Sequence, residues 1–292
     1  MRYALHFLLV LACTFTFLKP VNAGCGLELC PVNHASSGTS AKEIRVALPV
    51  AIRVTGFNLE NNQGHYLENI LGLQFKPIKG LTLQAKTSFV LLENNGKKER
   101  GINNALAAIE YGFLELKSIQ FFAGSQFEIK IPNQPVSIAA THNEILPYGR
   151  MLWTAGNLFG DIRFGGRFSP SPHSDANKET DDGHSHSHNE DEDDETEDDH
   201  TSLVVSPHSD QEIIYRASLG YAWLDHLFST LLYTDGQIVM AQENKGDVYL
   251  SSGFAAVLPL FDALHLRLDT QIPISAKKRF DWRSTVEAHL LF

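Results

Sequence analysis

The chain has 292 residues, 43% hydrophobic and 20% charged, enough for one large core or two modest ones. Its net charge of −10 is local: fourteen Asp and Glu against one Lys fall between His173 and Asp210, so that segment carries −13 and the rest +3. No basic stripe runs along that near-neutral remainder, which argues against nucleic acid as a partner.

In chain order, Arg2 opens a short charged region, Tyr3 to Leu18 is almost wholly apolar, and Lys19-Pro20 ends the run. Val21-Asn22-Ala23 then offers tolerated residues for cleavage. This is the pattern of a secretory signal peptide over 1–23, too short at its apolar centre for a stable spanning helix. Cys13 would leave with it. The predicted lead, 24–42, holds Cys25 and Cys30. Two cysteines in an oxidising compartment are close enough to close a small disulfide loop. The alternative is a lipobox at Asn22-Ala23-Gly24-Cys25 with Cys25 acylated. Asn stands there where an apolar residue is expected, which favours the disulfide.

From residue 43 the apolar residues follow period two. Leu81, Leu83, Ala85, Phe89 and Leu91 alternate mostly with more polar residues, Val90 excepted, as do Ile119, Phe121, Phe127 and Ile129, Phe122 excepted, and then Leu264, Leu266, Leu268 and Ile272. Successive strand side chains point to opposite faces, so each segment has one greasy and one wet face. Twelve such segments are predicted, near 43–57, 64–76, 80–92, 102–114, 118–130, 148–157, 160–169, 211–223, 226–235, 246–258, 263–274 and 281–292. All are longer than the usual five or six residues and suit a tilted crossing of hydrocarbon. Their connections sort by parity. Those at 77–79, 115–117, 158–159, 224–225 and 259–262 are short. Those at 58–63, 93–101, 131–147, 170–210, 236–245 and 275–280 are longer and polar. An even strand count with short periplasmic turns and longer outer loops marks bacterial outer-membrane barrels. The expected fold is therefore all-β: an antiparallel transmembrane barrel of about twelve strands over 43–292, with both termini in the periplasm.

In the last segment Val286, Ala288, Leu290 and Phe292 face one way, and Arg283, Thr285, Glu287 and His289 the other. A terminal strand of this kind ending on Phe resembles the signal by which bacterial outer-membrane barrels are recognised for insertion. The stretch Cys25-Gly26-Leu27-Glu28-Leu29-Cys30-Pro31-Val32-Asn33 is similar to the start of some uncharacterised barrel proteins described as transporters. These resemblances imply outer-membrane lipid and the barrel-assembly machinery as partners, and they identify no substrate.

The loop 170–210 stands apart. His184, His186 and His188 alternate with Ser185 and Ser187, and nine of the ten residues at 190–199 are carboxylates, among them Glu190, Asp191, Asp193 and Asp194. His173, His200 and His208 flank them. So dense a charge run cannot bury enough surface to offset ordering entropy, so the loop is expected to be disordered. Imidazoles and carboxylates together can still converge on a labile divalent cation, Zn²⁺ above all, with Ni²⁺, Co²⁺ or Cu²⁺ also suited. The loop resembles in composition the His-rich loops of zinc- and nickel-related importers and exporters, which implies metal gathering without a direction of transport. The alternative is a solvated acidic surface on a structural or interaction barrel.

The wet faces carry charges, including Arg163, Arg167, Arg216, Arg267, Asp269, Glu128 and Glu287. In a membrane barrel these would line an aqueous or ion-paired lumen, either setting selectivity or bracing the wall. No Gly-x-Ser-x-Gly, phosphate loop or His-Glu-x-x-His occurs, so no enzyme is expected and no organic cofactor. His142, beside Glu144 in an outer loop, reads as a plain surface residue. Passage of metal ions or small solutes is the expected function. The solute, the direction and the oligomeric state stay open.

Overall fold

The computed structural model describes residues 45–59, 62–140, 142–170, 204–205, 207, 209–224, 227–241, 244–261 and 263–292. These form thirteen strands: β1 (Arg45–Leu59), β2 (Asn62–Ile78), β3 (Leu81–Asn94), β4 (Lys97–Ile102), β5 (Ala105–Leu116), β6 (Ile119–Ile129), β7 (Glu144–Ala155), β8 (Leu158–Phe168), β9 (Gln211–Trp223), β10 (Phe228–Val239), β11 (Val248–Phe261), β12 (Leu264–Pro273) and β13 (Trp282–Leu291). Neighbours in sequence pair antiparallel except β4 with β5, β1 pairs with β13, and the sheet closes on itself. Both β4 and β5 pair with β3, at Phe89–Asn94 and Leu81–Lys86 respectively. They are two halves of one stave, interrupted at Asn103 and Asn104. The barrel therefore has twelve staves and the extra strand β4. Among the described residues no helix is long and apolar enough to cross a membrane.

Period two in the sequence becomes two faces in space. Ile52, Leu71, Leu232, Phe254, Leu268 and Val286 stand exposed on the outside. Their chain neighbours Arg53, Ile70, Tyr233, Ala255, Asp269 and Glu287 point inward. Strands of ten residues or more with such an outer face match a hydrocarbon belt.

The connections keep their parity but not all their lengths. At one end they are two to four residues: 79–80, 117–118, 156–157, 224–227 and 262–263. At the other end lie 60–61, 95–96, 130–143, 169–210, 240–247 and 274–281. Two of the predicted outer loops are mostly strand. The stretch 58–63 continues β1 into β2, with Asn58 opposite Gln63, and 93–101 is the β3–β4 hairpin. Its turn, Asn95-Gly96, has φ of 50° and 77°, the left-handed pair that a two-residue hairpin matching the strand twist requires. Polar composition there reflects a hairpin reaching into water, not irregular chain.

Two apolar clusters sit inside the barrel. Phe159, Ala222, Leu231, Tyr233 and Ala255 pack near the short-turn end. At the other mouth, Ile138 of the β6–β7 connection and Val204 and Val205 ahead of β9 pack against Tyr66, Val90 and Leu92. The Val204 and Val205 amides both donate to the Ser137 carbonyl, at 3.0 and 3.1 Å. Parts of two long connections thus fold inward and narrow that mouth.

Candidate functional site

Between the two clusters the inward side chains leave a polar cavity of about 250 Å³. Its wall on β7, β8 and β9 is set by register. Arg150 lies opposite Arg163, and Arg163 opposite Arg216. Arg150 Nε donates to both Asp161 carboxylate oxygens, at 3.2 and 3.0 Å, and its Nη1 reaches Glu110 at 3.3 Å. The Arg163 guanidinium stacks 3.6 Å from the Tyr148 ring centre, and Arg216 stacks 4.3 Å from that of Tyr233 while pairing with Asp235 at 3.4 Å. Both tyrosines rest on glycine. A Cβ at Gly253 would stand 2.2 Å from Tyr233 Cζ, and one at Gly124 2.5 Å from Tyr148 Cζ. Only glycine lets each ring lie flat against the neighbouring strand, which fixes the platform on which each arginine stacks.

The charges elsewhere in the cavity are mostly matched. Arg53 pairs with Glu68 at 3.2 Å, and Ser88 donates to the other Glu68 oxygen. Arg267 pairs with Asp269, which also accepts from the Tyr233 hydroxyl. Gln271 donates to Asp235 and Ser251. Glu287 lies 2.9 Å from His289. Each carboxylate lining the cavity thus has a basic partner. Among the described residues Lys86, Arg163 and Arg283 make no ion pair, so the cavity carries a surplus of positive charge.

A second network sits at the long-connection mouth. Arg167 reaches Glu144 at 3.2 Å and Glu212 at 3.0 Å, Arg279 pairs with the other Glu212 oxygen, and the Ser209 amide donates to Glu212 at 2.8 Å. His142 lies 3.2 Å from Glu144 and 3.3 Å from Asp210. It is not the plain surface residue expected from sequence. The hydrogen bond to Glu144, aided by the charges of Glu144, Asp210 and Glu128, holds its pKa above the ordinary 6.5 despite partial burial. A raised folded pKa stabilises fully below the unfolded value and is lost as pH rises through the folded one. The strap from residue 142 to residue 210 should therefore hold in mild acid and loosen as pH climbs past His142's raised pKa. Amide exchange at Ile138 and Ala139, corrected for intrinsic rate, should accelerate over that window, and His142→Gln should flatten the change. Equal pH dependence in both proteins would refute this role.

Of the residues singled out from sequence, Arg163, Arg216, Arg267, Asp269 and Glu287 line the cavity. Arg167 is in the mouth network instead, and Glu128 accepts from Asn104 at 3.1 Å away from the cavity. His173, His184, His186, His188, His200, His208, Glu190, Asp191, Asp193, Asp194, Cys25 and Cys30 lie outside the described residues, so the metal loop and the disulfide are untouched by this geometry. Among the described residues no group of three His, Cys, Asp or Glu is placed to hold a metal. Sequence reasoning missed Arg150, Asp161 and Asp235. The inward alternation of Tyr148, Arg150 and Leu152 was the available signal for the first, and Asp161 and Asp235 sat at assumed strand ends.

No protein-family model matches the chain, and no curated protein matches it. Solved structures do. An outer membrane channel of the COG4313 group from Pseudomonas putida F1 aligns with a TM-score of 0.57 at 11% identity, covering 94% of this chain and all of that one. The KdgM porin aligns at 0.50 with 9% identity, covering 84% and 99%, and the NanC porin at 0.50 with 9% identity, covering 84% and 98%. At these identities the likeness is one of fold.

Proposed function

We propose that this chain is an outer-membrane channel passing small hydrophilic solutes, with an external His- and acid-rich loop that gathers divalent metal ions. The observation that carries the channel is the inversion of a soluble protein: apolar outside, charged and polar inside, around a cavity of about 250 Å³. A wet lumen inside a greasy wall has a use only where both ends of the barrel meet water. The likeness in fold to porins and an outer membrane channel supports the same reading. The competing reading, a structural barrel whose charges only brace the wall, draws on the buried Arg53–Glu68 and Arg167–Glu212 pairs. Liposome swelling separates the two. Vesicles holding the refolded protein should swell in small sugars and more slowly in larger ones, whereas a structural barrel leaves them like empty vesicles.

The metal reading rests on His184, His186 and His188 with the carboxylates that follow them. Replacing these three His with Ala should abolish tight Zn²⁺ binding, leave weak Ca²⁺ association and leave the barrel's heat resistance unchanged. Imidazole must lose its proton to bind metal, so Zn²⁺ affinity in the parent should weaken as pH falls through about 6.5. Calorimetry giving the same Zn²⁺ affinity before and after the substitution would reduce the segment to a solvated acidic surface.

A further inference from the structure

The lumen's surplus positive charge has a definite place. Arg150, Arg163 and Arg216 stand in one cross-strand row on the inner face of β7, β8 and β9. Like charges directly opposite on neighbouring strands repel, and a wall built only for stability would alternate signs there. The two outer members are compensated, Arg150 by Asp161 and Glu110 and Arg216 by Asp235. Arg163, in the middle, makes no ion pair among the described residues.

Arg163 lies on the face of Tyr148 and Arg216 on the face of Tyr233. Stacking uses the face of a guanidinium and leaves its edge, where the N–H donors are, turned away from the ring. Nη2 of both arginines is enclosed and finds no hydrogen-bond acceptor among the described residues, so each guanidinium is incompletely satisfied and meets the cavity along its remaining edge. The tyrosines are themselves held, Tyr148 by Gly124 and Glu110 and Tyr233 by Gly253 and Asp269. Two adjacent guanidinium forks, pre-oriented and under-supplied with acceptors, thus line one cavity. A planar or tetrahedral oxyanion accepts from such forks in a bidentate manner and cancels the repulsion between them.

We propose that Arg163 and Arg216, supported by Tyr148 and Tyr233, form a binding site for a carboxylate or phosphate group on a small solute within the lumen. The inference deepens the channel reading and rests on it for its place in transport. Lys86 and Arg283 add unpaired positive charge to the same cavity and favour the approach of anions.

The test is calorimetric titration of the refolded full chain in detergent at low salt, with citrate and with inorganic phosphate as separate probes. The parent should bind one or both saturably, and the tighter of the two assigns the chemical class. Arg163→Gln and Arg216→Gln should bind on the order of 10-fold more weakly or worse, as expected for loss of a charge-assisted pair of hydrogen bonds. Lys79→Gln, on a short turn with its partner Glu115, should bind as the parent does. Arg163→Lys keeps the charge without the fork. It should also weaken binding, and it serves where the Gln variant does not fold. No binding by the parent, or parental affinity in a folded Arg163→Gln or Arg163→Lys barrel, would overturn the site. Reversal potentials in a KCl gradient separate this from the channel reading. A conducting protein with no anion preference and no binding refutes the site and leaves the channel. Saturable binding by a protein that never conducts refutes the channel and leaves the site.

Discussion

Arginine placed at Leu232, Leu268 or Val286 is expected to cost roughly 2–4 kcal/mol of folding stability in lipid vesicles, the range for a cation near the bilayer midplane. All three lie mid-strand on the outer face, and Leu268 and Val286 are direct cross-strand partners. The same residue at Gln84, which faces the cavity, meets water and neighbouring polar groups and should cost much less. Chemical denaturation of the refolded variants measures the difference. Equal costs on the two faces would mean that the exposed apolar belt does not meet lipid.

Glu212 should be the most sensitive single residue at the mouth. Its side chain is fully buried, and it accepts from Arg167, Arg279 and the Ser209 amide together. Glu212→Ala removes one anion, leaves the largely buried Arg279 without its carboxylate and leaves Arg167 with Glu144 alone. Breaking a buried pair from one side typically costs about 3–5 kcal/mol, because the remaining charge is uncompensated. Arg279 belongs to the β12–β13 connection and Arg167 to β8, so the loss should also free that connection, visible as faster proteolysis near 274–281. A cost under about 1 kcal/mol would place this network among the solvated surface pairs.

The barrel was legible because lipid outside and water inside impose alternation on every strand, and alternation survives in a single sequence. The parity of the connections was legible for the same reason, since only one end of the barrel is confined to tight turns. The hairpin through Asn95-Gly96 was not read. The polar residues 93–101 looked like loop, although an Asn-Gly pair between alternating residues is a hairpin signal in its own right. The interruption at Asn103 and Asn104 was likewise hidden inside an otherwise continuous segment. Individual wet-face arginines could be named from sequence, but the row could not. Arg150, Arg163 and Arg216 come together through the stagger between strands, which follows from barrel closure and not from local pattern. His142 escaped for a related reason, since its partner Asp210 arrives from the far end of a long connection.

Single-channel recording in a planar bilayer tests the central claim most directly, that the polar cavity inside this barrel is a path across the membrane. The refolded protein should give discrete conductance steps, and Thr285→Trp, which places a large side chain on the cavity wall, should shrink them while the barrel stays folded. No steps from the parent, or steps of the same size in the Trp variant, would contradict it.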